Sequence, residues 1–155
     1  MTKHMPLTVQ LEKYIKRTES CWLWTGKPNY SGYGRINRLG KITLAHREMY
    51  QLSKGPIPDG LFIDHMCHNR LCVNPDHLQA VTNKQNLENF SGPYRTNTSG
   101  VRGVYWHAVT KTWMAYARHE GKMHVGGRFK TIEEAGRAVT KLRNELHTNN
   151  LPDRE

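Results

Sequence analysis

Three cysteines in the first half of the chain have the spacing of metal ligands. Cys67 and Cys72 lie close together on one predicted loop, and Cys21 lies on an earlier segment. Three cysteines cannot all pair with one another, so a disulfide framework is not indicated. In a reducing compartment, clustered cysteines are more often metal ligands or catalytic groups. The alternative is that the three thiols are buried and unrelated to one another.

Histidine is the usual partner that completes a tetrahedral thiolate site, and zinc is the metal that prefers these donors. The chain offers His46, His68 and His77 for this role. We favour His77, because a predicted strand follows it directly and would hold its ring opposite the cysteine loop. The sequence therefore predicts a structural Zn²⁺ site formed by Cys21, Cys67, Cys72 and His77, which would stabilise a domain with few large apolar side chains.

A second group of residues could hydrolyse a phosphodiester bond. Asp64 and His65 end a predicted strand, and Asn86 lies one turn into a later helix. The side-chain oxygens of Asp and Asn are ligands that suit Mg²⁺ or Mn²⁺ better than zinc. A neutral imidazole beside them can accept a proton from water near pH 7. Taken alone, such a pair is more often explained by a structural Asp–His hydrogen bond.

Two strands separated by a long loop and followed by a helix must position these residues. Strands are predicted at 61–65 and 78–81, with the cysteine loop between them. Thr82 and Gln85 have the spacing of a capping box, which predicts that a helix starts there and runs to about residue 90. Upstream, short strands are predicted at 21–25, 33–37 and 41–44, followed by a helix at 45–52.

The second half of the chain predicts a small sheet packed on one helix. Strands are expected at 104–106, 113–118 and 123–129, and Thr131 with Glu134 forms a second capping box. The helix behind this box carries a single apolar stripe, as a helix packed on a sheet does. The predicted fold class is α+β.

One face of this predicted sheet mixes basic and aromatic side chains. Alternation along the strands places Val104, Trp106, Tyr116 and Arg118 on the face away from the helix, with Arg102 and Lys122 nearby. Such a mixture can contact phosphates and base edges. An ordinary solvated sheet is the alternative. The predicted DNA-binding residues are Arg102, Trp106, Tyr116, Arg118 and Lys122.

The charge of the chain favours a polyanionic partner. The 155 residues include 23 Lys and Arg against 13 Asp and Glu, for a formal net charge of +10. Both halves share this basic excess, which suits a nucleic acid bound by two modules. No apolar run is long enough to span a membrane, and the N-terminal segment lacks a signal-peptide core. We therefore expect a cytoplasmic protein, in the bacterial host cell if a phage encodes it.

The order of the first motifs resembles the HNH endonuclease family of the ββα-metal type, especially its phage and intron-homing members. The resemblance covers about residues 20–90. It implies that Asp64 and Asn86 bind one catalytic cation and that His65 is the general base. His77 stands where many members have a central asparagine, and Asn86 stands where many have the final histidine. The motifs are Ile63-Asp64-His65-x-Cys67, Cys72-x-Asn74-Pro75-x-His77-Leu78 and Thr82-x3-Asn86.

The second half resembles the Apetala/ethylene-response-factor type of DNA-binding domain over about residues 97–147. This resemblance implies three antiparallel strands and a helix, with the sheet in the DNA major groove. Arg102, Trp106, Tyr116 and Arg118 occupy positions that contact DNA in that family, whereas Val104 departs from its pattern. The motifs are Ser99-Gly100-Val101-Arg102-Gly103-Val104-Tyr105-Trp106, Thr112-Trp113-x-Ala115, Gly127-x-Phe129 and Thr131-x-Glu133-Glu134-Ala135.

Together these patterns predict a homing-like, metal-dependent endonuclease that acts on double-stranded DNA. Residues 1–90 would form the nuclease domain, 91–100 a linker and 101–155 the DNA-binding domain. A monomer would nick one strand, and a homodimer or sequential action would cut both. A zinc-containing DNA-binding regulator without catalytic activity is the alternative, and RNA processing or general nucleic-acid binding is a third possibility.

Overall fold

The computed structural model describes residues 5–90 and 92–153. The signal-peptide prediction falls partly on residues 1–4, and the predicted linker begins at Ser91; these positions and residues 154–155 lie outside the described residues. By its internal contacts the chain divides into two compact units, Met1–Asn83 and Lys84–Glu155. This division precedes the predicted linker. The domain boundaries given above stay a prediction.

The described residues of the first unit form three antiparallel strand pairs and two α-helices. Helix α1 (Leu7–Glu12) leads into β1 (Ile15–Arg17), which pairs with β2 (Trp22–Trp24). A hairpin of β3 (Arg35–Arg38) and β4 (Lys41–Leu44) leads directly into α2 (Ala45–Lys54). Strand β5 (Phe62–His65) pairs with β6 (Leu78–Val81), and a 3₁₀ turn (Pro75–His77) precedes β6. The predicted order of strand, long loop and strand is confirmed.

The core of the first unit lies between the early strands and α2. Apolar side chains of α1, β2, β3 and α2 meet there, and Val73 from the cysteine loop packs against them. Burying apolar surface is the main favourable contribution to folding. The loop that carries the cysteines is therefore anchored to the core by Val73. The buried members of this cluster are Leu11, Trp24, Ile36, Ala45, Met49 and Val73.

The second unit is a three-stranded antiparallel sheet with a helix packed on it. Helix α3 (Asn83–Glu88) precedes β7 (Val104–His107), β8 (Thr112–His119) and β9 (Lys122–Phe129), and β8 is the central strand. Helix α4 (Ile132–Leu146) follows, and a 3₁₀ turn (Leu151–Asp153) ends the described chain. The α+β prediction and the predicted strands and helices of this half are confirmed.

Local sequence signals explain where α4 begins and which face it buries. The Thr131 hydroxyl accepts a hydrogen bond from the Glu134 amide, and the Glu134 carboxylate accepts one from the Thr131 amide, as the predicted capping box requires. Ala135 and Val139 of the helix pack against Val104 and Ala115 of the sheet. None of the helices among residues 5–90 and 92–153 is both long and apolar enough to cross a membrane.

Part of the segment predicted as a linker is hydrogen-bonded to the second unit. The Asn97 side-chain amide donates to the carbonyls of Val101 and Val104, and the Ser99 hydroxyl reaches the same two carbonyls. These bonds form a turn that leads the chain into β7. Residues 97–104 therefore fold together, and the glycine that follows Arg102 lies in a tightly packed position.

We predict that Gly103→Ala destabilises the second unit much more than Gly121→Ala. Both glycines have a left-handed backbone, with φ of 77° and 75°. A Cβ at Gly103 would lie 2.5 Å from the Tyr116 carbonyl oxygen and 2.8 Å from a Val139 methyl group, whereas nothing lies within 4 Å of one at Gly121. Backbone strain alone costs about 1–2 kcal/mol, and steric overlap adds about 1–3 kcal/mol.

Denaturant unfolding of the two variants beside the wild type measures this difference. Gly121→Ala is the matched control, because it introduces the same backbone strain without the overlap. Equal losses in the free energy of unfolding would contradict the packing described for residues 97–104.

Candidate functional site

The structure brings the four predicted zinc ligands together. The ligand atoms of Cys21, Cys67, Cys72 and His77 all lie within 4.8 Å of one another. The Sγ atoms of Cys21 and Cys72 are each 3.6 Å from the His77 Nδ1. His46, one of the alternative fourth ligands, lies elsewhere in the unit, as described below. Three sulfurs and one imidazole nitrogen make the donor set of a tetrahedral zinc site.

Backbone pairing explains why Cys72 meets Cys21. The cysteine loop runs antiparallel to β2, and an isolated bridge joins Cys72 to Leu23. The Val73 amide donates to the Trp22 carbonyl over 2.8 Å, which extends this pairing by one residue. Cys21 directly precedes β2, so the two thiols are carried to the same point by main-chain hydrogen bonds that need no metal.

The other two ligands are positioned by the ends of the same loop. The Met66 amide donates to the His77 carbonyl over 2.9 Å, which closes the loop between Cys67 and the 3₁₀ turn. The Asn74 side chain caps that turn by accepting a hydrogen bond from the Asp76 amide. The loop is therefore closed at both ends, and its ligands are held near one another by short-range structure.

The thiols in this cluster fit a bound cation. Burial raises the pKa of Cys67 to about 12, and burial likewise raises the pKa of Cys72. A metal ion binds thiolates and favours their deprotonation, which offsets the cost of burying the charge. The Asn74 amide lies 3.4 Å from the Cys72 Sγ and donates to it, as amides beside metal-bound sulfur do.

Asp64 and His65 end β5, and both are buried. Asp64 is opposite Gln79 on β6, and the Gln79 side-chain amide donates to the Asp64 Oδ2 over 3.1 Å. Burying a carboxylate is costly unless it is hydrogen-bonded or binds a cation. The Gln79 bond orients the Asp64 carboxylate, which is a hard oxygen donor of the kind that Mg²⁺ and Mn²⁺ bind.

His65 is held in one tautomer by the cysteine loop. Its Nε2 lies 3.0 Å from the backbone carbonyl oxygen of Cys72, and a carbonyl can only accept, so Nε2 carries the proton. Nδ1 then carries the lone pair that can accept a proton. Burial lowers the pKa of His65, and the Cys72 hydrogen bond and the charge of Asp64 partly oppose this effect. A neutral imidazole with a fixed tautomer is what a general base requires.

A second histidine, which is not among the predicted catalytic residues, lies against His65. His46 is on the first turn of α2, and the two imidazole rings are 4.7 Å apart. Burial, together with the smaller effects of His65 and Arg47, lowers the pKa of His46 to about 3. Tyr33 contacts both histidine rings. His46 is therefore a neutral packing partner of His65; the only sequence signal for it was its place beside Arg47 after a strand.

Asn86 lies on α3, which the contacts assign mostly to the second unit. Its side chain is partly buried. Its pairing with Asp64 on a single cation stays a prediction of the sequence.

The sheet of the second unit corrects two of the predicted orientations. Val104 is opposite Ala115 and Trp106 is opposite Trp113, so both share the face that packs on α4. Val104 is fully buried in that core, although Trp106 remains 46% exposed near the edge. The expectation that Val104 and Trp106 lie on the outer face is wrong. Pairing Trp106 with Trp113 across the turn between β7 and β8 would have placed Trp106 on the helix-facing side.

The outer face of the sheet carries Tyr116 and Arg118, as predicted, together with Tyr105. Tyr105 is opposite Met114, and its ring packs edge-on against Tyr116 at 5.5 Å. Arg118 is exposed. The pairing of β8 with β9 adds Arg128 to this face, opposite Met114. Tyr105 and Arg128 were missed, because strand register was needed to place them.

The remaining two predicted DNA-binding residues, Arg102 and Lys122, differ in how freely their side chains could contact DNA. The Arg102 guanidinium donates to the carbonyls of Leu87, Glu88 and Phe90, where it caps the end of α3. Burial lowers the pKa of Arg102, as does the nearby Arg143. Arg102 therefore uses, to stabilise the fold, N–H donors that a contact with a DNA phosphate would require. Lys122 is exposed at the start of β9.

Comparison with known proteins agrees with the geometry of the first unit. The HNH endonuclease family pattern matches residues 43–88, from β4 to α3. Protein 7.7 of Escherichia phage T7 is 43% identical over 70 residues, which are 45% of this chain and 54% of that protein. The chain thus spans about half the length of that relative. Protein 3.8 of the same phage is 33% identical over 107 residues, which are 69% of this chain and 87% of that protein.

One relative carries a family name in its description. It is an uncharacterized HNH endonuclease of Acanthamoeba polyphaga mimivirus, 30% identical over 139 residues, which are 89% of this chain and 68% of the relative. No solved structure matches the chain. The long alignment with this relative and the family match around Asp64, His65 and the cysteine loop establish that the chain belongs to the HNH endonuclease family.

Proposed function

We propose that this HNH family member is a metal-dependent endonuclease that hydrolyses phosphodiester bonds in double-stranded DNA. The observation that carries the proposal is the setting of His65. Its tautomer is determined by the Cys72 carbonyl, and burial lowers its pKa, which favours the neutral imidazole, while the charge of Asp64 partly opposes this effect. A buried histidine of this kind, next to an oriented carboxylate, serves proton transfer from water.

In this mechanism His65 accepts the proton of the attacking water on Nδ1. The Nε2–H bond to the Cys72 carbonyl oxygen persists during the transfer and stabilises the imidazolium that forms. Tyr33 and His46 cover the ring and limit its rotation. The proton acceptor is thereby held in place before DNA binds, which lowers the entropic cost of the reaction.

We further propose that Asp64 and Asn86 hold one Mg²⁺ or Mn²⁺ ion. The Asp64 carboxylate suits such an ion, because it is a buried oxygen donor that Gln79 orients. A bound divalent cation would stabilise the negative charge of the transition state and of the departing 3′ oxygen. Asn86 enters the proposal from its position in the sequence pattern.

The cluster of Cys21, Cys67, Cys72 and His77 is proposed to bind a structural Zn²⁺ ion. The donors have the right chemistry and lie close together, and the loop between β5 and β6 has few apolar side chains of its own. Zinc binding would stabilise the loop that orients His65. In this proposal zinc takes no part in the chemical step.

The second unit is proposed to bind DNA through the outer face of its sheet. Tyr105, Tyr116, Arg118 and Arg128 share this face, which therefore offers aromatic rings and positive charge together. Its three strands and one helix agree with the arrangement that the Apetala/ethylene-response-factor resemblance implies. The oligomeric state would determine the product of cleavage. In this proposal a monomer nicks one strand of DNA, and a homodimer cuts both strands.

We predict that His65→Ala and His65→Gln both lower DNA cleavage by about 10²–10⁴-fold. Glutamine can still donate a hydrogen bond to the Cys72 carbonyl, but it cannot accept a proton from water. DNA affinity should change little in either variant. Supercoiled plasmid incubated with Mg²⁺, Mn²⁺ or EDTA gives the cleavage rate, and a gel-shift titration gives the affinity.

His68→Asn is the matched control for these variants. His68 lies on the same loop, is exposed, and has a left-handed backbone that asparagine tolerates. The control should cut at the wild-type rate. Cleavage by His65→Gln at the wild-type rate would contradict the role of His65, and tight binding by the wild type without cleavage in any metal would favour the regulator.

We predict that Arg118→Ala weakens DNA binding, whereas Arg137→Ala does not. Both arginines are exposed and each substitution removes one positive charge, but Arg118 lies on the outer face of the sheet and Arg137 lies on α4. Loss of one phosphate contact should also reduce the dependence of log Kd on log salt by about one unit. Binding titrations at several salt concentrations measure both effects.

The free energy of unfolding of the two arginine variants serves as the control for their fold. Equal weakening by both substitutions would indicate a general charge effect and would contradict the assignment of the outer face.

A further inference from the structure

The second unit contains a buried group of ligands that the proposed function does not use. Glu88 at the end of α3, His119 at the end of β8 and His147 after α4 each point one ligand atom into the same space, and these atoms lie within 4.8 Å of one another. Glu88 and His147 are buried, and the His119 side chain is 18% exposed. The three residues come from three separate elements of the second unit.

One oxygen of the Glu88 carboxylate is held by hydrogen bonds, and the other faces the two histidines. Its Oε2 accepts hydrogen bonds from the backbone amides of Thr148 and Asn149 and from the Thr148 hydroxyl. Its Oε1 is buried and has no hydrogen-bond partner among the described residues. Lys84 lies 3.8 Å from this Oε1, but its side chain is 43% exposed and can move into solvent. A buried carboxylate oxygen in this state requires a proton or a cation.

His147 is oriented by a neighbour in the way that metal ligands are, and His119 has a carboxylate near its outer nitrogen. The His147 Nε2 lies 3.1 Å from the Arg118 carbonyl, which can only accept, so the proton is on Nε2 and Nδ1 carries the lone pair. The His119 Nε2 lies 3.6 Å from a carboxylate oxygen of Glu120. Metal-binding histidines commonly direct their second nitrogen to a carbonyl or a carboxylate.

The remaining nitrogen of His119 faces the carboxylate. His119 Nδ1 is 3.8 Å from the Glu88 Oε1, beyond hydrogen-bond distance, and has no hydrogen-bond partner among the described residues. Donors about 2 Å from a shared ion lie somewhat more than 3 Å apart. Small side-chain rotations would therefore bring two imidazole nitrogens and one carboxylate oxygen to coordination distance.

We propose that Glu88, His119 and His147 form a second metal site, which binds Zn²⁺ or a similar divalent transition metal ion. Imidazole and carboxylate together suit such an ion, whereas an all-oxygen set would suit Mg²⁺. Three protein ligands leave one position for water, and the exposed edge of His119 gives access from solvent. The ion would join α3, β8 and the segment after α4. This site is separate from the cysteine cluster and from the proposed chemistry.

Metal counting on the full-length protein tests the site. After equilibration with Zn²⁺ and removal of loosely bound ion by a weak chelator, elemental analysis should find two zinc ions per chain in the wild type. His119→Gln should retain one, and the affinity for the second ion should fall at least about tenfold. His124→Gln is the matched control, because His124 packs near His119 but is not part of the ligand group. It should retain two.

Two further variants make every outcome decisive. Glu88→Gln keeps the size of the side chain, and it should also retain one ion; it replaces His119→Gln if circular dichroism shows that variant to be unfolded. Cys72→Ser removes a ligand of the other cluster, so a wild-type count of one that falls to zero in Cys72→Ser would overturn the proposal. Two ions retained by a folded His119→Gln would overturn it as well. None of these counts depends on whether the protein cuts DNA.

Discussion

Cys72 connects the two sites of the first unit, because its side chain and its backbone serve different purposes. Its Sγ belongs to the cluster with Cys21, Cys67 and His77, while its carbonyl oxygen accepts the Nε2 hydrogen bond of His65. The pairing of this loop with β2 positions both groups at once. The proposed zinc site and the proposed general base therefore depend on the same short segment of backbone.

The second unit depends on a comparable network of polar contacts around α3. Arg102 donates to the carbonyls at the end of this helix, and Glu88 accepts hydrogen bonds from the backbone after α4. Buried Arg143 in turn donates to the Arg102 carbonyl. The apolar core of this unit is small and consists of Val104, Ala115, Ala135 and Val139. Buried charged groups are costly unless they are paired, and these hydrogen bonds offset that cost around α3.

Local patterns predicted the elements and the cysteine cluster well. The capping box at Thr131 predicted the start of α4, and the spacing of Cys67, Cys72 and His77 placed three ligands on one closed loop. Non-local features were not predictable in this way. The contact of His46 with His65 depends on how α2 packs, and the orientation of Trp106 depends on strand register. The sequence likewise does not show which carbonyls the Arg102 guanidinium meets, and its contact with DNA stays a prediction.

The tautomer of His65 with and without metal tests the central claim most directly. Long-range ¹H–¹⁵N NMR of the imidazole reports which nitrogen carries the proton, and it can be recorded on the Zn²⁺-loaded protein and after removal of zinc by a chelator. If the Cys72 carbonyl orients His65, the loaded protein shows the Nε2–H tautomer. The stripped protein shows it too for as long as it stays folded, because main-chain hydrogen bonds hold the loop. An Nδ1–H tautomer, or a mixture of the two tautomers, in the folded protein would contradict the account.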